Sequence, residues 1–167
     1  MSGPTDVSAP VVDIEIASPL WAQQAEAEAM VRAAIATAAQ RVPADGEVSV
    51  LLADDAAVRV LNRDWRGIDR PTNVLSFPQP DDKVPFALLG DIAIAYETLA
   101  READAEGKPF LHHLAHLAVH GFLHLMGYDH ETDSEAEAME QLEHDVLARL
   151  EIPDPYRAQK LHELGDV

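Results

Sequence analysis

Three histidines near the C-terminal end of this chain have the type and spacing of a metal site. They lie in the stretch His120-Gly121-Phe122-Leu123-His124-Leu125-Met126-Gly127-Tyr128-Asp129-His130. On a helix, residues four apart project from one face, so His120 and His124 present their imidazoles side by side. Gly127 terminates such a helix, because glycine enters the left-handed conformation without penalty. The chain then turns, and His130 can return to the same point. Three imidazoles suit a divalent transition metal, zinc by default, and leave a fourth position open for water or substrate. A closed structural site would need a fourth protein ligand. The chain has no cysteine, so Asp129 or Glu131 would have to serve. The open site is the better reading, and an open position means chemistry. His112, His113 and His144 read instead as packed, hydrogen-bonded core histidines.

The same spacing matches the metzincin protease pattern H-E-x-x-H-x-x-G-x-x-H, with one difference. The protease uses a glutamate beside the first histidine as general base. Here that residue is Gly121, which cannot accept a proton. A mid-helix glycine costs ~1 kcal/mol against alanine, so Gly121 predicts a close approach of another element to the helix backbone.

The chain has 167 residues, 47% of them hydrophobic, which suits one domain with a real core. The absence of cysteine fits a reducing interior. Met1 to Pro10 lacks the basic and apolar regions of a secretory signal. No apolar run reaches the ~20 residues of a spanning helix. The expectation is a soluble, cytoplasmic protein with no membrane partner. The net charge is −18, from 30 acidic and 12 basic residues, which taken alone argues against a polyanionic partner. Yet Arg59, Arg63, Arg66 and Arg70 crowd one short stretch. Screening over a Debye length of ~8 Å lets a local basic site survive on an acidic protein. Arg63 and Arg70, taken singly, read as part of a solvated face.

The elements that must position these residues follow from periodicity and breakers. Val11 to Ile16 alternates like a strand. Ser18-Pro19 starts a helix that the alanine- and glutamate-rich composition carries to Gln40. A turn at Ala44-Asp45-Gly46 leads into a strand over Glu47 to Leu52. Asp54 or Asp55 caps a short helix through Val58, Leu61 and Asn62, and Trp65 to Arg70 reads as a loop. A short strand over Asn73 to Phe77 precedes a polar loop from Gln79 to Pro85. Leu88 to Ala95 is a strand and Tyr96 to Ala105 a helix. Pro109 opens the histidine helix, which is apolar over much of its circumference and runs to about Met126. Ser134 and Glu137 form a capping box for a last helix to about Leu150. The order β-α-β-α-β-β-α-α-α predicts an α+β fold: a single domain over 11–152, with a small mixed sheet packed with helices and a central metal-binding helix. A flexible N-terminus over 1–10 and a C-terminal tail over 153–167 flank it.

Three ordered blocks carry a family likeness. His120 to His130 matches H-G-x-L-H-L-x-G-Y-D-H at every specified position. A second block comprises Leu61-Asn62, Trp65-Arg66-Gly67, Asp69 and Pro71-Thr72-Asn73-Val74-Leu75-Ser76-Phe77-Pro78; the third is Leu89-Gly90-Asp91-Ile92. On these blocks the chain, from about Val11 to Tyr156, resembles the YbeY family of bacterial endoribonucleases, also called rRNA maturation factors. Trp65 stands where the family often has tyrosine. The resemblance implies a zinc-dependent, single-strand-specific endoribonuclease acting in 16S rRNA 3′-end maturation and ribosome quality control. It gives His120, His124 and His130 the roles of ligands to one zinc ion per chain, and Arg66 a catalytic role. The implied partners are single-stranded RNA, an rRNA precursor and the ribosomal particle or its associated proteins, and not DNA.

The residue chemistry is compatible with that. A three-histidine zinc site lowers the pKa of water to roughly 7, which removes the need for a strong base at position 121. A fork-shaped guanidinium such as Arg66 can share the charge of a phosphodiester in reaction. A salt bridge from Arg66 to Asp64 or Asp69 is the competing reading. His116, one turn before His120, supports the ligands, contacts substrate, or is a buried, hydrogen-bonded histidine with no part in the site. Asn73 and Ser76 are candidate phosphate or ribose contacts. Two other functions compete: a metzincin-like zinc peptidase lacking the usual glutamate base, and a non-catalytic ribosome assembly factor with a structural zinc site. The overall acidity predicts a small, local RNA contact drawn from the metal ion, Arg66, and Arg59, Arg63 or Lys83.

Overall fold

In the computed structural model, residues 9–79 and 88–153 are described. The expected flexible N-terminus up to residue 8, most of the expected polar loop, including Lys83, and the tail beyond residue 153 lie outside the described residues. The strands are β1 (Val11–Ile16), β2 (Glu47–Ala53), β3 (Val74–Pro78) and β4 (Leu88–Ala95). The helices are α1 (Ala27–Arg41), α2 (Asp55–Arg66), α3 (Tyr96–Glu106), α4 (Phe110–Leu125) and α5 (Asp133–Arg149). The strands form one mixed sheet in the order β1-β2-β4-β3. The first three are parallel, and β3 runs antiparallel to β4. Element order and α+β class are those the sequence predicts.

The period of two along the strands separates two packing faces. Val48, Val50 and Leu52 of β2 and Ile92 and Ile94 of β4 join the main core with α1, α4 and α5. The alternate residues Ala53, Leu75, Ala93 and Ala95 pack with Val58 and Leu61 of α2 on the opposite face. The histidine helix α4 is the most deeply buried: Leu114, Leu117, Ala118, Val119, Phe122 and Leu123 are at most 3% exposed. Gly121 explains how closely it meets the sheet. A Cβ there would lie 3.0 Å from Ile92 Cγ2 and 3.2 Å from Ser76 Oγ. The Ser76 hydroxyl also donates to the Gly121 carbonyl at 3.1 Å. The close approach expected of Gly121 is therefore that of β3 and β4.

Three expected boundaries are corrected. The helix starting at Ser18 is not continuous to Gln40. Ser18 caps only a short 3-10 helix, Pro19–Gln23, and α1 begins at Ala27. The interruption lets Trp21 sink to 2% exposure. Its indole N–H donates to the Ala53 carbonyl at 2.9 Å, and its ring meets Tyr96 and Phe110 edge-on. Second, Trp65 and Arg66 are not in a loop. They form the last turn of α2, which starts behind an Asp54 cap and ends at Gly67 with φ +73°. Third, the capping box of α5 is Thr132 with Glu135, not Ser134 with Glu137. The turn after His130 is short, and the earlier pair sits where the helix starts.

Gly90 lies where the β3–β4 pair meets the end of α4. A Cβ there would fall 2.7 Å from the Phe77 carbonyl oxygen, 3.1 Å from Pro78 Cα and 2.5 Å from Leu125 Cδ2. Backbone cannot retreat as a side chain can, so Gly90→Ala should cost about 1–3 kcal/mol by overpacking. Denaturant unfolding reads this directly. A midpoint equal to wild type would mean that the contact is looser than these distances.

Candidate metal centre and its groove

His120 and His124 stand one turn apart on α4, with ring centroids 4.5 Å from each other. His130, from the turn after α4, comes to 5.9 Å and 5.2 Å from them. One nitrogen from each ring lies within 4.8 Å of the other two. The turn has a local cause. Gly127 takes φ +96°, the Tyr128 amide bonds back to the Leu123 carbonyl at 3.0 Å, and Asp129 Oδ1 accepts from the His130 amide at 2.8 Å.

Hydrogen bonds behind the rings decide which nitrogens face inward. His120 Nδ1 lies 2.6 Å from a Glu143 carboxylate oxygen, and His124 Nδ1 lies 2.9 Å from the Tyr128 carbonyl. Both partners only accept, so both Nδ1 atoms carry the proton and both Nε2 atoms present lone pairs. Those two Nε2 atoms are 3.0 Å apart. Lone pairs facing each other at that distance repel unless a cation stands between them. Tetrahedral zinc, with Zn–N near 2.0–2.1 Å, spaces its nitrogens by roughly 3.3 Å. The donor set therefore fits a zinc-like ion. His124 is held below the ordinary imidazole range by burial and by neighbouring His120, against an opposing hydrogen bond to Tyr128. Its neutral, ligating form is favoured.

Glu143 escapes the sequence reading. It projects from α5 into the core with 0% exposure. One carboxylate oxygen serves His120; the other accepts from His116 Nε2 at 3.0 Å. Burial pushes its pKa up, but the hydrogen bonds from His116 and His120 outweigh that and hold it at about 2. It is ionised throughout the neutral range. The signal was periodicity: Glu143 follows buried Met139 by four residues and precedes buried Val146 and Leu147 by three and four. A carboxylate on a helix's apolar stripe needs a partner.

The three histidines open onto a groove shared with Arg66, Asn73, Ser76 and Trp65. Arg66 is exposed, and its side chain forms no ion pair or hydrogen bond among the described residues. The carboxylates that might have held it are engaged by neighbours: Asp69 by Arg59 at 2.8 Å and Asp64 by Arg63 at 3.0 Å. Ser76 lines the groove with its hydroxyl bonded to Gly121. Asn73 lines it too, with its amide nitrogen donating to Glu102 at 3.0 Å and its amide oxygen accepting from the Val74 amide at 2.7 Å. His116 is turned to Glu143 and is not among the groove residues. His113 is buried against Glu102 at 2.8 Å; burial lowers its pKa, and the Glu102 hydrogen bond opposes that.

Comparison with known proteins converges on one family. The family model for endoribonuclease YbeY matches residues 14–151. Endoribonuclease YbeY of Rhodopseudomonas palustris strain BisA53 is 61% identical over 158 residues, covering 90% of this chain and 92% of that protein. The protein of the same description from Bradyrhizobium sp. strain BTAi1 is 59% identical over 157 residues, covering 88% of this chain and 92% of its own. That of Nitrobacter winogradskyi is 58% identical over 158 residues, covering 88% and 82%. The match spans the arginine block, the glycine at the sheet and the histidine helix alike: the chain belongs to the endoribonuclease YbeY family.

Proposed function

We propose that this chain is a zinc-dependent endoribonuclease that cuts single-stranded RNA. One observation carries the reading: three imidazoles, two of them with their inner lone pairs set by Glu143 and Tyr128, open into the groove that holds Arg66, whose side chain is unpaired among the described residues. Family membership supports a role in 16S rRNA 3′-end maturation and ribosome quality control. In that role the substrate is an rRNA precursor, presented by the ribosomal particle or an associated protein in the cytoplasm, and DNA is not a substrate. Among the described residues no helix is long and apolar enough to cross a membrane.

A bound zinc ion supplies Lewis-acid charge and acidifies water to a pKa of roughly 7. The residues do the rest. Glu143 keeps the proton of His120 on Nδ1, and the Tyr128 carbonyl does the same for His124. Arg66 offers a planar fork of donors matched to phosphate oxygens and stabilises the charge that builds there during cleavage. Glu143 is not a base for the groove, since it is buried with both oxygens on histidines. Position 121 is glycine, set where a Cβ would already be tight against Ile92 and Ser76, so the peptidase reading lacks its glutamate base.

The metal assignment predicts about one zinc-like ion per chain. His124→Ala should abolish tight binding, and Glu143→Gln should weaken it about 10- to 100-fold by loosening His120. Elemental analysis with chelator competition reads both; full retention in His124→Ala would sink the ligand set. Arg66→Ala should slow RNA cleavage about 100-fold or more while metal content and melting temperature stay near wild type. A large drop in melting temperature would make Arg66 a folding residue instead. Because Arg59 and Arg63 are paired, few phosphates are neutralised. The log–log salt slope for single-stranded RNA binding should lie near −0.7 to about −2, against much steeper values for an extended basic groove.

A further inference from the structure

Trp65 is anomalous for its position. Along α2, Val58 and Leu61 pack on the sheet, and Trp65 continues their stripe at four residues beyond Leu61. The stripe outruns the core. Trp65 is 73% exposed, the most exposed large apolar side chain among the described residues. It is not loose, because Phe77 of β3 lies 6.2 Å away between ring centroids, inclined at 55°. Its indole N–H has no acceptor among the described residues, whereas the chain's other tryptophan, Trp21, is 2% exposed and bonded. Trp65 also precedes Arg66 directly and lines the same groove as the three histidines.

Apart from Arg66 and the three histidines, the charged residues of the groove are acidic: Asp129 and Glu131 flank His130. The sheet side of the groove carries Asp13, Ser49 and Asp91, register partners across β1, β2 and β4, with Glu15 two residues along. Carboxylates repel a phosphate backbone, but they accept hydrogen bonds from the exocyclic amino groups of bases. With Arg66 as the groove's only arginine or lysine among the described residues, the rest of the lining favours bases over backbone next to a phosphate held there. Every base has a π-face, and aromatic side chains hold unpaired bases without needing positive charge.

We propose that Trp65, backed by Phe77, is the stacking platform for an unpaired base adjoining the phosphate held by Arg66. The proposal rests on the RNA-cleaving reading and deepens it: recognition is by base stacking, which an acidic protein can afford, and it selects single strands because a paired base has no free face.

The experiment uses the full, zinc-loaded chain. The probes are a short single-stranded RNA and an abasic ribose-phosphate oligomer of equal length. With Trp21 buried, fluorescence quenching in stopped flow, read before cleavage, reports Trp65. The RNA should quench and the abasic oligomer should not. Trp65→Ala should raise KM about 5- to 100-fold with little change in kcat, and Trp65→Phe should restore KM to within about threefold of wild type. Equal quenching by the abasic oligomer, or a wild-type KM in Trp65→Ala with cleavage intact, overturns stacking and leaves the nuclease reading standing. A protein that neither binds nor cuts RNA overturns both. The quenching comparison needs no variant, so it decides even if Trp65→Ala folds poorly.

Discussion

The carboxylate of Glu143, sunk in the core between His116 and His120, is the interaction on which the site depends. Burying a carboxylate costs several kcal/mol unless its oxygens are bonded, and here each has a histidine. Its low pKa means that the buried charge is kept rather than neutralised. That charge fixes the tautomer of His120, joins α5 to α4, and leaves the ring's free nitrogen aimed at the groove. Because α4 is packed against the sheet at Gly121, His120 and His124 stand on a buried helix.

Much of this was legible in the sequence. The three-histidine group that could hold a metal was readable because its chemistry and helical spacing are local. The element order was readable because alternation, apolar stripes and breakers are local too. What escaped depends on contacts distant in sequence. The break before α1 exists because Trp21 reaches the Ala53 carbonyl, 32 residues away. Thr132 and Ser134 each begin a capping-box pattern, and only the turn at His130 selects the first. Glu143 hides among the many acidic residues of α5 and differs from them only in facing inward. Arg66 had Asp64 and Asp69 within reach along the chain, yet Arg63 and Arg59 hold those carboxylates.

A net charge of −18 and a polyanionic substrate are reconciled by division of labour in space. Among the described residues the groove's one arginine is Arg66. Carboxylates line the sheet side, where a backbone would be unwelcome and base edges would not. The acidity then works as discrimination: it weakens loose, sequence-blind association and leaves only contacts made at the site itself.

The turn between α4 and α5 closes a ring. The covalent path runs from His120 through His130 to Glu143, and the Glu143–His120 hydrogen bond completes it across 23 positions of the chain. His120 and His124 belong to the helical side of that ring, and His130 sits on an exposed arc, with a side-chain exposure of 58%. An ion held by these three rings would be clasped: most of the ordering entropy is spent in folding, and one short arc would remain to be stilled. Such a clasp would exchange its ion at the exposed arc and leave the core closed.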